Sequence, residues 1–232
     1  MSNITIVFNK QMKMSDLIDS DYKLLLLLNK LKIRLGFGEK SVDIICKEAG
    51  FDPDCFIFLA NIHARKLKPN SNVHEIFSKL PLSPFLYYLN NSHSYFLKER
   101  LPNIRRKLEL IFTKDETSMK QLVLDFFDNY LNEVSEHMKY EDEVAFPYIR
   151  TLIDAKSTTG YSINIFEERH NDIEEKMQDL KQILMKYISG LKDQKLMTNI
   201  LIELYMCQEE LGVHTYIEDE LIIPRVKSIE HK

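Results

Sequence analysis

From Ser83 onward, apolar residues return every three or four positions along four long stretches, 83–112, 118–153, 162–188 and 192–226. Polar breaks at 113–117, 154–161 and 189–191 separate them. That spacing marks amphipathic α-helices. Long helices joined by short loops bury their apolar stripes best as antiparallel neighbours, so this half of the chain predicts a four-helix bundle around one core.

The chain before it follows a different rhythm. Ser15 or Asp16 can cap a segment that carries Leu17, Ile18, Leu24, Leu25, Leu28 and Leu31, apolar on more than one face. After a break at Gly36 and Gly38, Ser41 caps a short helix over 42–49 that stops at Gly50. Asp52-Pro53 then opens another through Phe56, Leu59 and Ile62, with proline in the first turn. Residues 69–72 read as a linker. The expected fold is all-α: a small helical N-terminal domain over 1–78, then an antiparallel four-helix bundle over 79–232.

Composition agrees. Six Gly and seven Pro in 232 residues are few for a many-stranded fold. The run Leu24–Leu28 is far below the roughly 20 residues of a spanning helix, and Ile4–Phe8 is too short for a signal-peptide core, so a cytoplasmic protein is expected. The leucine run would suit a homodimer contact, but the sequence leaves the oligomeric state open. A net charge of −4 supplies no general basic field, so neither nucleic acid nor membrane is expected as a partner. The layout of 42–49, Gly50 and 56–62 also fits a helix-turn-helix, although only Lys47, Arg65, Lys66 and Lys68 bring nearby positive charge. Cys46, Cys55 and Cys207 are scattered, with no CxxC, which excludes a disulfide framework and a thiolate zinc site.

The second and fourth long stretches repeat one another. His137-x3-Glu141-Asp142-Glu143-x3-Pro147 matches His214-x3-Glu218-Asp219-Glu220-x3-Pro224, 77 positions apart. The first and third stretches each hold one histidine, His93 and His170, again 77 apart. This register suggests two helix pairs facing each other across a pseudo-twofold axis.

Residues four apart on a helix project within about 40° of each other, so each His-x3-Glu pair shares a face. Buried imidazoles and carboxylates are costly unless something binds them. In a four-helix bundle, such groups on facing helices are the usual way to hold a pair of iron or manganese ions. His93, His137, His170 and His214 with Glu141 and Glu218 would give each metal two imidazoles and leave the glutamates to bridge. Imidazole with carboxylate suits iron, manganese or zinc, and iron is the first choice. Asp219 competes with Glu218 as the bridge, while Asp142 and Glu143 turn away from the His137 face. Glu133 and Glu210, four residues before His137 and His214, would either orient an imidazole or sit as solvated carboxylates. Tyr130 is read as core, and His63, His74 and His231 as surface residues.

On these residues the chain resembles the hemerythrin-like superfamily and, within it, the di-iron proteins that repair iron–sulfur clusters. The resemblance rests on Ser92-His93 leading to Leu101-Pro102, His137-x3-Glu141 running into Phe146-Pro147, Glu168-Arg169-His170, and His214-x3-Glu218 ending at Pro224. It implies His93, His137, His170 and His214 as ligands of an oxo-bridged pair of iron ions, with Glu141 and Glu218 bridging. The oxygen-carrying hemerythrins have a second histidine where this chain has Glu174, which argues against reversible oxygen storage.

The segment from Met14-Ser15-Asp16-Leu17 to Ala49-Gly50-Phe51-Asp52 resembles the same family's N-terminal domain. That domain's Cys-Cys pair is replaced here by Leu35-Gly36, and Cys46 reads as a buried structural thiol. The implied role is a nitrosative and oxidative stress response in which the di-iron centre supports repair of damaged iron–sulfur proteins, by iron donation or by handling nitric oxide. The alternative is a non-enzymatic sensor or carrier of oxygen or nitric oxide. No phosphate loop or nucleophile–histidine motif points to a conventional enzyme, and no catalytic residue is assigned.

Overall fold

The computed structural model describes residues 8–65, 73–112, 117–154, 160–167, 173–188 and 193–230. The linker expected at 69–72, together with His170 and His231, lies outside them. Among the described residues the structure is helical, with one isolated β-bridge between Lys13 and Ser41. The chain divides into two compact units, Met1–Ser92 and His93–Lys232.

In the first unit, the apolar segment around the leucine run is two helices, α1 (Met14–Ser20) and α2 (Leu24–Lys30). Asp21 divides them: its backbone N–H closes α1 on the Ile18 carbonyl, and its carboxylate accepts from the Lys23 N–H at 3.1 Å. A side chain bonding to the backbone two residues on is a turn signal strong enough to stop a helix. Ser15 and Asp16 lie inside α1, not at its start; the cap position is Lys13, and Met14 N–H donates to the Lys40 carbonyl.

The next two helices start where the caps predict. Ser41 Oγ accepts from Ile44 N–H before α3 (Val42–Glu48), and Asp52 accepts from Cys55 N–H at 2.8 Å before α4 (Pro53–His63). Gly50, at φ +70°, makes the left-handed turn between them. Leu17, Leu27, Cys46, Cys55 and Leu59 are fully buried together with Phe56. A further short helix, α5 (Val73–Ser78), brings Phe77 against Phe58 at 5.6 Å and Phe85 at 4.8 Å. Phe85 lies on α6 (Ser83–Tyr95). His63 is half-buried rather than a surface residue, because Tyr88 Oη sits 2.8 Å from its Nε2.

The second unit holds the bundle. Its four arms are α7 (Leu101–Ile111), α8 (Thr117–Tyr140), α11 (Ile173–Lys186) and α12 (Gln194–Tyr216). Between α8 and α11 lie α9 (Phe146–Ile153) and α10 (Ile163–Glu167), and α13 (Ile223–Glu230) follows α12. Contacts run α7 to α8, α8 to α11, α11 to α12 and α12 back to α7, closing the ring. On α12 the buried positions are Met197, Ile200, Leu204, Cys207 and Leu211, alternating steps of three and four. The next two steps land on His214 and Glu218, both buried. Each fully buried apolar side chain contributes about 1.5–3 kcal/mol, so the stripe that builds the core also carries the polar ligands inward.

Among the described residues, three five- or six-residue π turns, at Phe96–Arg100, Glu141–Ala145 and Ile217–Ile222, interrupt the helical ladder. In each, the residue just before a proline reaches back five positions: Leu101 N–H to Phe96 O, Phe146 N–H to Glu141 O, and Ile223 N–H to Glu218 O. Pro102, Pro147 and Pro224 follow directly. Inside an α-helix a proline ring would clash with the carbonyl four residues earlier, and a π turn shifts that register. The inward face therefore advances by one residue. Leu101, Ile149 and Val226, eight positions after His93, Glu141 and Glu218, are fully buried, where a seven-residue step would have buried Arg100, Tyr148 and Arg225.

Candidate metal centre

The side chains of His93, Glu141, His214 and Glu218 converge inside the second unit. One donor atom from each lies within 4.8 Å of all the others, and all four residues are buried. His93 comes from the last turn of α6, His214 from the last turn of α12, and the two glutamates lie at the starts of the π turns that follow α8 and α12, Glu141 as the first residue and Glu218 as the second.

The contacts repeat as the sequence repeats. His137 Nε2 lies 3.0 Å from Glu141 Oε1, and His214 Nε2 lies 3.0 Å from Glu218 Oε1. Across the bundle, His93 Nε2 meets the other oxygen of Glu141, Oε2, at 3.0 Å and His214 Nε2 at 3.1 Å. Glu141 thus offers one oxygen to each of two imidazoles from different helices.

Aromatic side chains enclose the rings. Phe146 stacks on His93 at 5.4 Å with 19° between planes, and Phe96 stands edge-on to His214 at 6.1 Å. Burial alone would lower the His93 pKa. Its hydrogen bonds to Asp142 and Glu141, reinforced by both charges, outweigh that and raise it to about 9 in the metal-free protein.

This donor set fits a metal ion. Two imidazole nitrogens and two carboxylates are the ligands that first-row transition ions take. Adjacent ligands at bond lengths of about 2.1 Å stand about 3 Å apart, the spacing found between these donors.

A profile of the hemerythrin HHE cation-binding domain matches residues 86–227, more than half of the chain. The chain belongs to this family. No curated protein matches it. The four converging donors all fall inside the matched hemerythrin domain, whose name describes cation binding and whose members typically hold iron.

His137 joins the cluster through Glu141 and keeps 15% of its side chain exposed. Glu218 rather than Asp219 is the carboxylate in the cluster among the described residues. Glu133 is exposed, pairs with Lys176, and lines a surface cleft of about 370 Å³ with Asn129 and Tyr130. Glu210 is buried, with Arg100 Nη2 3.8 Å from its Oε1. The carboxylate that does hold an imidazole's outer nitrogen is Asp142, whose Oδ1 lies 2.8 Å from His93 Nδ1. Spacing along one helix does not reach this partner, because His93 belongs to another helix.

Cys46, Cys55 and Cys207 are buried and form no disulfide, and burial, with Asp43 and Asp52 nearby, pushes the Cys46 thiol up to about 12. Among the described residues, no helix is long and apolar enough to cross a membrane.

Proposed function

We propose that this hemerythrin-like protein holds a pair of iron ions and serves the nitrosative and oxidative stress response, supporting repair of damaged iron–sulfur proteins by donating iron or handling nitric oxide. The observation that carries the di-iron reading is Glu141, with His93 at one oxygen and His137 at the other, each at 3.0 Å. A carboxylate so flanked suits a bridge between two ions. His214 and Glu218 repeat half of that arrangement, and the 77-residue register supplies His170 as the remaining imidazole. The repair role is supported by the resemblance of nearly the whole chain to the cluster-repair proteins, with an N-terminal domain that lacks their Cys-Cys pair.

Iron bound there supplies redox chemistry and positions open to a diatomic ligand. The protein's part is to hold two buried carboxylates whose charge offsets that of the cations, and to keep imidazoles aimed by stacking and hydrogen bonding. Phe96 and Phe146 limit water around the rings.

Freshly purified protein should contain about two irons per chain, absorb in the near ultraviolet, and change spectrum with nitric oxide. It should also restore a cluster enzyme inactivated by nitric oxide. One zinc per chain, or no metal, would sink the di-iron reading. Reversible gas binding without rescue of the enzyme would favour a sensor or carrier instead.

A further inference from the structure

A neutral imidazole has one proton for two nitrogens, and at His93 two carboxylates compete for it. Asp142 Oδ1 lies 2.8 Å from Nδ1, and Glu141 Oε2 lies 3.0 Å from Nε2. Nε2 is the nitrogen that faces His214 and the rest of the cluster. With the proton on Nδ1, the Nε2 lone pair is available to a metal; with the proton on Nε2, donated to Glu141, it is blocked. Two residues adjacent in sequence therefore stand at opposite nitrogens of one ring, and Asp142 is within hydrogen-bond geometry of Nδ1.

We propose that Asp142 is the positioning residue of this centre: by accepting from His93 Nδ1 it holds the ring in the tautomer whose Nε2 lone pair faces the metal site. Phe146 supports the arrangement by stacking on the ring, so that fixing one edge aims the other. Both Asp142 and Phe146 belong to the segment at the π turn after α8, which sets Glu141 inward and Asp142 toward His93. Asp142 is 32% exposed where His93 is 2% exposed, so it stands at the rim of the cluster and not among the enclosed donors.

The inference rests on the metal-centre reading, and its test separates the two. With histidine labelled by ¹⁵N, long-range proton–nitrogen spectra of the metal-free protein, followed with rising pH to the plateau at which the His93 ring is neutral, report which nitrogen carries the proton. Wild-type protein should show Nδ1–H, Asp142→Ala should show Nε2–H, and Asp142→Glu should recover Nδ1–H at least in part. Zinc, a diamagnetic probe measured against a competing chelator, should bind Asp142→Ala about 10–100-fold more weakly than wild type, with Asp142→Glu between them.

All three proteins should have the same helical circular dichroism, since Asp142 lies at the rim. An Asp142→Ala protein with the wild-type tautomer and zinc affinity would overturn the inference. Wild-type protein that takes up neither zinc nor iron, while His93 still changes tautomer in the variant, would overturn the metal reading and leave the hold of Asp142 on His93 standing.

Discussion

His93 Nε2 and His214 Nε2 stand 3.1 Å apart, although 121 residues separate them in sequence. Each also has a carboxylate oxygen at 3.0 Å, so both nitrogens face a site that a cation would complete. Replacing either group should release metal without unfolding the bundle. His137→Ala, His214→Ala and Glu218→Ala are each expected to fall from about two irons per chain to fewer than one, with circular dichroism unchanged. Retention of both irons by any of the three would remove that residue from the ligand set.

Metal removal should be felt as stability. A ligand bound only by the folded state, at a free concentration 100 times its Kd, contributes about 2.7 kcal/mol. A chelator should therefore lower the Tm of the wild-type protein and leave that of Glu218→Ala nearly unmoved. Equal shifts in the two would place the bound metal elsewhere.

Protons compete with metal at His93. Its midpoint of about 9 in the folded, metal-free protein lies above the ordinary histidine value of about 6.5. The stabilisation from its contacts with Asp142 and Glu141 is therefore complete below about pH 6.5 and lost as pH rises through 9. Denaturant titrations of metal-free protein should show stability falling across that window, on the order of a few kcal/mol at most. Metal affinity should rise over the same window, because binding displaces the proton. A flat stability profile would mean that His93 gains no proton-linked stabilisation on folding.

The cysteines should be inert. With the Cys46 thiol pushed up to about 12, its thiolate fraction near pH 8 is about a thousandfold below that of an ordinary thiol, and burial adds a steric barrier for Cys46, Cys55 and Cys207. A thiol reagent should label the native protein slowly at all three positions and rapidly once denaturant is added. Fast native labelling of Cys46 would contradict its burial.

Arg100 and Glu210 make a separate polar contact inside the second unit. Arg100 is half-buried and Glu210 buried, so Arg100→Met should cost about 1–3 kcal/mol, and the double variant with Glu210→Met less than the single. Iron content should be the same in all of them. Loss of iron from Arg100→Met would show that this pair does more than support the fold.

Much of this was legible in the sequence because it depends on spacing along single helices. The apolar rhythm located the bundle arms, and His-x3-Glu at 137–141 and 214–218 necessarily shares a face. What depends on another helix was not legible. Asp142 meets a histidine 49 positions away. Glu133 and Glu210 occupy matching places in the repeat, yet one is exposed beside Lys176 and the other buried beside Arg100, because their neighbours do not repeat. Asp21 split the leucine segment through a local side-chain bond that apolar periodicity does not register. Nearness to the linker predicts a surface position for His63, but the buried Tyr88 holds its ring half-buried.

The π turns have an evolutionary corollary. Each uncouples the angular phase of the chain beyond it from that of the ligand helix before it, as the buried Leu101, Ile149 and Val226 record. Substitutions on the outer surfaces of the distal segments at 146–153 and 223–230 should therefore leave the metal content unchanged. Phe146 is the exception, tied to the centre by its stack on His93. Alignments of relatives should place their one-residue gaps inside these turns, and drift should be greatest just beyond them.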